Sequence, residues 1–277
     1  MEGLPRRGPG AREVGLALPP ARMPRVRDRR PLKRWTYLGA FGPDLMLCAG
    51  DARVGPLPIR WWALAEPGRP LAERTTVVAS GGVALDRRRL DVRARGVHIA
   101  LELEPAGEPM EVVSPSGSSY IWTEKLPVTA RGMVEVGGRR HDVELPGLVD
   151  ESAGYHARET VWKWSAGVGS TEEGSAVAWN LVTGVHDAPS ESERTVWVDG
   201  APVELGPVEF VPGLAGVRFA EGGELEFSEW SARESSLNIG VFRNVYRQPF
   251  GTFAGELPGG LRLASGYGVM EEHDARW

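Results

Sequence analysis

Apolar and polar residues alternate with a period of two along most of the chain, and an apolar repeat with the helical period is hard to find. The alternating runs are short and are bounded by turn residues, which is the pattern of β-strands. Hairpins are clearest at 132–145 and 195–205, where Gly137-Gly138 and Asp199-Gly200 supply the positive φ of a two-residue turn. Further strands are predicted over residues 36–41, 44–50, 57–64, 75–79, 97–103, 161–166, 175–182, 216–219, 224–229, 237–246, 250–257 and 261–269. A short helix fits only 66–73 or 186–194.

Short antiparallel strands at this spacing, with almost no helix, predict an all-β fold of sandwich or barrel type. Residues 34–55 and 161–185 each carry an aromatic strand, a turn with glycine and an apolar strand, which indicates two related β-domains. Segment 144–154 is the expected junction. We therefore predict a basic, proline-rich leader over 1–34, an N-terminal β-barrel-like domain over 35–150 and a C-terminal one over 151–277.

Charge and composition narrow the class of protein. The chain has 277 residues, 42% of them hydrophobic, a net charge of −5 and ten tryptophans, more than a core needs unless some line half-wet cavities or interfaces. Ten of the first 34 residues are Arg or Lys, so the leader could pack as a strap on the acidic body, touch RNA or make peripheral contact with an anionic membrane. An acidic body argues against nucleic acid as the main partner.

Cysteine count and hydropathy exclude further classes. Cys48 is the single cysteine, so neither a disulfide framework nor a cysteine metal site forms within one chain. No apolar run is long enough to span a membrane, and no secretory signal is visible at the start of the sequence. A reducing cytoplasm is the expected location.

The stretch GYHARETVWKWSAGVGS contains the best candidate site. If residues 156–164 form one strand, His156, Arg158, Trp162 and Trp164 share a face with Thr160. Aromatic bulk beside a few polar tips is typical of a ligand pocket. The alternative is that His156 is a hydrogen-bonded packing residue and that Arg158 stacks on a tryptophan at the surface.

Neighbouring segments add further candidate residues. Asn180 stands among apolar residues of the next strand, beside Trp179, and a buried amide needs either backbone or ligand partners. Glu151 and Glu272 are candidate proton donors. No phosphate-binding loop, zinc-binding His pair or nucleophile elbow is present, and the five histidines are scattered singly, so we expect neither a metal nor a cofactor.

Several blocks resemble the family known as domain of unknown function 2804. They are PLKRWTYLGAFGPDLMLCAGDARVG, GYHARETVWKWSAGVGSTEEGSAVAWNLVTGVHDAPSESERTVWVDG, QPFGTFAGEL and GVMEEHDARW, so the resemblance runs from about residue 24 to the end. That family is distantly similar to lipocalin-like proteins that include AttH, carotenoid hydratase and tocopherol cyclase. The resemblance implies two consecutive antiparallel lipocalin-like β-barrels. Proteins of that group have an Asp-His pair between their two halves. The resemblance aligns this pair with Asp150-Glu151, so a glutamate replaces the histidine here, and the nearest histidine is His156.

Three functions remain open from the sequence. The first is binding of a small lipophilic molecule of isoprenoid or fatty-acyl type, lined by Trp162, Trp164 and Trp179 and anchored by His156, Arg158 and Asn180. The second is a cofactor-free hydratase, isomerase or cyclase in which His156, Glu151 or Glu272 delivers a proton to an alkene and tryptophan faces steady the cation. The third is a structural or interaction protein whose tryptophans are core.

Overall fold

The structure is a computed structural model that describes residues 3–77, 82–239 and 242–276, with side chains described outside 237–242. Strands account for 67% of it and helix for 4%. The two helical segments are short 3-10 turns at Gly8–Val14 and Pro212–Leu214. No helix within these residues is long and apolar enough to cross a membrane.

The first half of the chain forms thirteen strands. They are β1 (Arg6–Arg7), β2 (Val26–Arg27), β3 (Arg30–Pro31), β4 (Lys33–Phe41), β5 (Met46–Val54), β6 (Leu57–Ala65), β7 (Ala72–Thr76), β8 (Val83–Leu85), β9 (Arg89–Ala94), β10 (Val97–Pro105), β11 (Met110–Ser116), β12 (Ser119–Val136) and β13 (Arg139–Gly154). All except the β2–β3 pair belong to one antiparallel sheet, in which the order β7-β6-β5-β4-β13-β12-β10-β9-β8 is joined by β11 and β1 beside β12. We refer to it as the first sheet.

The second half forms nine strands in a second antiparallel sheet. They are β14 (Glu159–Thr171), β15 (Ala176–Thr183), β16 (Thr195–Val198), β17 (Ala201–Glu204), β18 (Val208–Phe210), β19 (Gly216–Phe219), β20 (Glu224–Ile239), β21 (Phe242–Leu257) and β22 (Leu261–Arg276). Their order is β17-β16-β15-β14-β22-β21-β20-β19-β18. The two sheets have the same connectivity. In each, four successive strands run from the middle of the sheet to one edge, and the later strands return from the opposite edge to the middle.

The predicted all-β fold of two consecutive antiparallel units, either lipocalin-like barrels or curled sheets, is confirmed, and each unit is a curled sheet. Both glycine hairpins are confirmed as well, since β12–β13 turn at residues 137–138 and β16–β17 turn at 199–200. The single strand predicted over 237–246 is wrong, because the end of β20 and the start of β21 pair there as a hairpin. Neither 66–73 nor 186–194 is helical. Segment 144–154 lies inside β13, and the chain leaves the first sheet over residues 155–158. The domain division at residues 34 and 150 stays a prediction.

Three apolar layers follow from the alternation of side chains. One fills the curve of the first sheet, with Leu38, Leu47 and Ile99 fully buried. Another fills the curve of the second sheet around Trp179 and Phe253. The third lies between the sheets, where the convex faces of β4–β6 and β14–β15 meet. We call this middle layer the inter-sheet layer, and its tryptophans are Trp35, Trp61, Trp162, Trp164, Trp197 and Trp230.

Backbone contact also joins the sheets. The Glu108 amide donates to the Gly200 carbonyl at 2.8 Å, and the Trp197 indole donates to the Glu108 carbonyl at 2.8 Å. A Cβ on Gly107 would lie 2.8 Å from the Gly200 carbonyl oxygen, closer than real Cβ contacts come. The hairpin turn of β16–β17 therefore seats on the loop before β11 only because that loop carries a glycine.

The leader packs on the first sheet and reaches the second. Its β1 pairs with β11, and buried Ala11, Leu18 and Met23 pack against aromatic residues of β12 and of the connection after β13. The Arg7 guanidinium donates to the Ser192 carbonyl and, at 2.9 Å, to the Thr195 hydroxyl, both beyond β15. Residues near the start of the chain thus fasten the two sheets together.

Candidate functional site between the sheets

Four of the predicted site residues lie toward the inter-sheet layer. Trp162 and Trp164 alternate onto the face of β14 that meets the first sheet, as the pattern predicts. His156 is 8% exposed and packs on Trp35 of β4, with ring centroids 5.1 Å apart. Asn180 is fully buried beside Trp164. The strand itself begins only at Glu159, so His156 reaches this layer from the connection between the sheets and not from β14.

The other four predicted residues lie elsewhere. Arg158 is exposed in the connection before β14, and Glu272 is exposed on β22. Trp179 points to the opposite face of β15, where it meets Phe253 inside the second sheet. Glu151 lies within the curve of the first sheet, where it pairs with Arg87 at 2.8 Å and accepts a hydrogen bond from Thr36. Of the five residues predicted to share one face of a strand, Trp162 and Trp164 do so, whereas Arg158 lies exposed before the strand begins.

Glu271 is a buried carboxylate of the inter-sheet layer that the sequence analysis did not propose. Its side chain accepts hydrogen bonds from the Trp162 indole at 2.7 Å, the Gln248 amide at 2.9 Å and the Tyr246 hydroxyl at 3.1 Å. Burial raises the pKa of Glu271, against the lowering effect of the bonds from Trp162 and Tyr246. Because successive side chains of a strand point to opposite faces, Glu271 is inside and Glu272 is outside.

An arginine completes this polar cluster. Arg233 of β20 is 7% exposed, pairs with Glu73 of β7 at 3.0 Å and donates to the Tyr246 hydroxyl at 3.4 Å. Its guanidinium also lies over the rings of Trp61 and Tyr246, 5.8 and 5.5 Å from their centroids. The cation thus binds the two sheets to each other and stabilises negative charge near Glu271.

Three buried polar atoms in the same layer have no hydrogen-bond partner among the described residues. They are the Tyr37 hydroxyl, the Trp61 indole nitrogen and Nδ1 of His156. Native structures leave few such atoms, since each costs about 1–3 kcal/mol of desolvation. A bound molecule or ordered water would supply partners to these three of the nine such atoms among the described residues.

A group of basic nitrogens lies at the end of this layer. Lys33 begins β4 on the same face as Trp35 and Tyr37 and is only 5% exposed. His273 of β22 packs on Trp162, with ring centroids 4.1 Å apart, and one of its ring nitrogens lies 2.7 Å from the side-chain oxygen of Asn244. Burial lowers the pKa of His156 well below its usual range, and nearby Lys33 adds to the effect. Burial likewise lowers the pKa of His273 to about 4, so both imidazoles are neutral at pH 7.

A second group of buried polar side chains lies in another part of the layer and links the two sheets. Lys125 of β12 pairs with Asp150 at 2.6 Å and with Glu193 at 3.6 Å, and Glu193 belongs to the connection between β15 and β16. Asn180 accepts from the Trp164 indole at 2.8 Å and donates to the Glu193 carbonyl at 3.0 Å. Both ends of the Asn180 amide are therefore bound by protein, which makes it a structural residue in this state.

Two of the surface cavities lie away from Trp162 and Trp164. One of about 330 Å³ opens at the end of the first sheet, where Arg34, Trp122 and Glu151 line it. Another of about 450 Å³ is formed by the leader itself. No group of three or more His, Cys, Asp or Glu side chains could hold a metal ion within the described ranges.

Sequence reasoning missed most of the polar cluster. Lys33, Tyr37, Arg233 and Glu271 come from three strands far apart in the chain, and no local motif joins them. The sequence contains one indication of Glu271, because it is the neighbour of Glu272, which we proposed as a proton donor. Alternation could not choose between the two, because β22 is central and both Val269 and Met270 are buried on its opposite faces.

Solved structures show the same fold at low sequence identity. A protein of Nitrosomonas europaea provisionally named AttH aligns with a TM-score of 0.55 and 15% identity, over 94% of this chain and 98% of that one. The kievitone hydratase of Nectria haematococca aligns with a TM-score of 0.55 and 11% identity, over 87% and 88%. At these identities the likeness concerns the fold alone.

Sequence comparison gives the family. No curated protein matches the chain. The family described as domain of unknown function 2804 matches residues 74–277, which hold strands β8–β13 of the first half and all of the second sheet. The chain therefore belongs to the domain of unknown function 2804 family.

Proposed function

We propose that the protein binds a small lipophilic molecule, of isoprenoid or fatty-acyl type, between its two sheets. The observation that carries the proposal is the set of three unpartnered polar atoms, on Tyr37, Trp61 and His156, within an aromatic layer. An apolar ligand with one or two polar groups would bury its carbon skeleton against the indoles and give these atoms partners. The new hydrogen bonds would offset the cost of burying these three polar atoms without partners, and this would add to the binding free energy.

A matched pair of tyrosine variants tests this proposal. Tyr37→Phe removes a hydroxyl that has no partner, whereas Tyr120→Phe removes one that donates to the Ala17 carbonyl at 2.8 Å outside the layer. Tyr37→Phe should leave the free energy of unfolding unchanged or raise it. It should also weaken binding roughly 5- to 10-fold, the loss of one hydrogen bond worth about 1–1.5 kcal/mol. Tyr120→Phe should lower stability by about 1 kcal/mol and leave binding alone.

Ligands for these measurements come from protein purified from its own host. Native mass spectrometry followed by lipid extraction should find a co-purifying lipophile, and an isoprenoid and fatty-alcohol panel should raise the melting temperature. If nothing co-purifies and no compound shifts the melting temperature, the proposal fails. It also fails if Tyr37→Phe destabilises the protein as Tyr120→Phe does while every affinity stays unchanged.

A second candidate function is cofactor-free proton transfer to such a ligand, as in a hydratase, isomerase or cyclase. Glu271 favours it, because a buried carboxyl with a raised pKa beside Trp162 and Tyr246 can exchange a proton in a dry site. A kievitone hydratase has the same fold, but a shared fold does not carry chemistry by itself. Glu271→Gln keeps the side-chain shape, so it should abolish turnover while retaining ligand binding within a few-fold. Equal turnover by the variant would exclude this role.

A further inference from the structure

The curve of the first sheet ends in the cavity of about 330 Å³ described above. Arg34 and Thr36 line it from the face of β4 that also holds Leu38, and Leu38 is buried in the curve of this sheet. The inter-sheet layer lies on the other face of β4, with Trp35 bordering both places. Ligand pockets begin at roughly this size, and the cavity has room for about ten water-sized groups.

Two arginines stand opposite each other at this cavity. Arg34 of β4 and Arg53 of β5 are directly paired in the register of the two strands, and both line the cavity. Within the described part of the chain, neither side chain has an ion pair or a hydrogen bond. Like charges in directly opposed positions repel each other. An anion between the two guanidinium groups would turn this repulsion into two charge-assisted contacts.

The acidic side chains of the cavity already have cations. Asp51 of β5 pairs with Arg60 of β6 at 3.0 Å, and Glu151 of β13 pairs with Arg87 at 2.8 Å. Glu124 stands opposite Glu151 in the register of β12 and β13 and pairs with the same Arg87. With the opposed arginines included, four cations therefore meet three carboxylates. One positive charge is left for a bound anion.

An aromatic side chain held by the leader forms one wall of the cavity. Trp122 of β12 is 3% exposed, and its indole donates to the carboxylate of Glu111. Glu111 also accepts a hydrogen bond from Arg12 of the leader at 2.8 Å, and the Arg12 guanidinium donates to the Pro19 carbonyl. Pro19 and Trp122 both line the cavity. The indole and the proline ring are thus fixed in place as an apolar wall.

This wall and the arginines belong to one row of the sheet. In the register of the strands, Arg34 stands opposite Ala153 of β13, and Ala153 stands opposite Trp122. Side chains of directly opposed residues share a face, so Trp122 lies two strands from Arg34 with only a methyl group between them. The small side chain of Ala153 leaves space for a flat ring beside the indole.

We infer that this cavity binds a small aromatic carboxylate, whose carboxylate bridges Arg34 and Arg53 and whose ring lies against Trp122. The two oxygens of a carboxylate match the planar donor fork of a guanidinium. A single negative charge balances the group, whereas a phosphate monoester at pH 7 carries a charge of roughly −1.5 to −2. The site is separate from the one between the sheets and does not depend on the proposed function.

Calorimetric titration of the full chain with 2-naphthoate at pH 7 and low salt tests the inference. We expect one binding site per chain. Arg34→Gln combined with Arg53→Gln should weaken binding at least about tenfold, because both charge-assisted contacts are lost. This variant should keep the wild-type melting temperature or raise it, since the repulsion between the guanidinium groups is also gone. Neutral 2-naphthalenemethanol should bind the wild type at least about tenfold more weakly than 2-naphthoate.

Arg95→Gln combined with Arg158→Gln is the matched control, because both arginines are exposed and neither lines this cavity. It removes the same charge and should leave the affinity for 2-naphthoate within about twofold. Equal weakening by the two double variants would reveal a diffuse attraction and overturn the site. Absence of binding, or tighter binding of 2-naphthyl phosphate, would overturn the inference as well.

Tyr37→Phe separates this site from the one between the sheets. Because Tyr37 belongs to the inter-sheet layer, this variant should leave the affinity for 2-naphthoate unchanged. If Tyr37→Phe weakens binding and the Arg34 and Arg53 changes do not, 2-naphthoate occupies the inter-sheet layer, and the inference fails while the proposed function gains support. If the arginine changes alone weaken binding, the inference stands whatever the outcome for the proposed function.

Discussion

Replacement of Lys125 by methionine should destabilise the protein strongly, because it leaves two buried carboxylates without their cation. Lys125 and Glu193 are each 4% exposed at the side chain, and Asp150 is 11% exposed. At an effective dielectric constant of about 20, the attraction of Lys125 is about 6 kcal/mol to Asp150 and about 5 kcal/mol to Glu193. Burial of the charges offsets much of this attraction in the wild type, but in the variant the cost stays and the attraction is lost.

We expect Lys125→Met to lower the free energy of unfolding by about 3–5 kcal/mol, which is a large share of the 5–15 kcal/mol typical of a domain. Urea unfolding at pH 7, followed by both circular dichroism and tryptophan fluorescence, measures the loss and checks that the two transitions coincide. Lys163→Met is the matched control, since Lys163 is half-buried away from this group, and it should change stability by less than about 1 kcal/mol.

A triple variant separates an unpaired charge from a lost contact. Lys125→Met combined with Asp150→Leu and Glu193→Leu removes every charge of the group, so stability should return to within about 1–2 kcal/mol of the wild type or exceed it. If the single variant loses under about 1 kcal/mol, the ion group does not stabilise the contact between the sheets. If the triple variant is as unstable as the single one, the loss comes from packing and the electrostatic argument is refuted.

Three further changes probe other contacts of the inter-sheet layer. Trp164→Phe removes the donor to Asn180 and should cost about 1–3 kcal/mol in urea unfolding; no loss would mean that the amide is satisfied otherwise. Burial lowers the pKa of His186 to about 3. As the pH falls from about 6.5 towards 3, this histidine therefore binds a proton in the unfolded chain but not in the folded protein, and the folded state loses stability. His186→Asn, which suits the positive φ there, should therefore gain up to about 1.4 kcal/mol per pH unit relative to wild type over that window, and parallel pH–stability curves would contradict this. Gly107→Ala should lower the melting temperature by forcing the loop before β11 off the opposing turn, whereas Gly10→Ala, with only an ordinary contact at 3.9 Å, should not.

Much of the fold was predictable because many strands have one polar side or end in an obvious turn. Residues 97–103 alternate clearly, and the glycine pair at 137–138 fixes a hairpin whose register extends over sixteen residue pairs. The pattern failed where a strand is covered on both faces. Seven successive residues from Ser119 to Lys125 are buried in β12, so no alternation marks them, and neither β11 nor the start of β12 was predicted.

The candidate site was predictable only in part. Trp162 and Trp164 follow from alternation within one strand, and the structure places both between the sheets. Glu271 and Arg233 could not be predicted, because their position depends on how two sheets stack and not on any local pattern. Arg158 and Glu272 carry suggestive chemistry in the sequence, but both side chains are exposed to water on the outside of the second half.

The Arg7 contact has a consequence for the order in which the chain folds. Arg7 and Thr195 are 188 positions apart, so a ribosome that adds 5–20 residues per second makes the second roughly 10–40 s after the first. Once β11 has been made the leader can pair with it, but its contacts with the second half must wait for Thr195. The earliest-made segment of the chain therefore completes its contact with the second half only after more than two thirds of the chain has been made. During synthesis the first sheet must keep its convex aromatic face from aggregating until the second arrives.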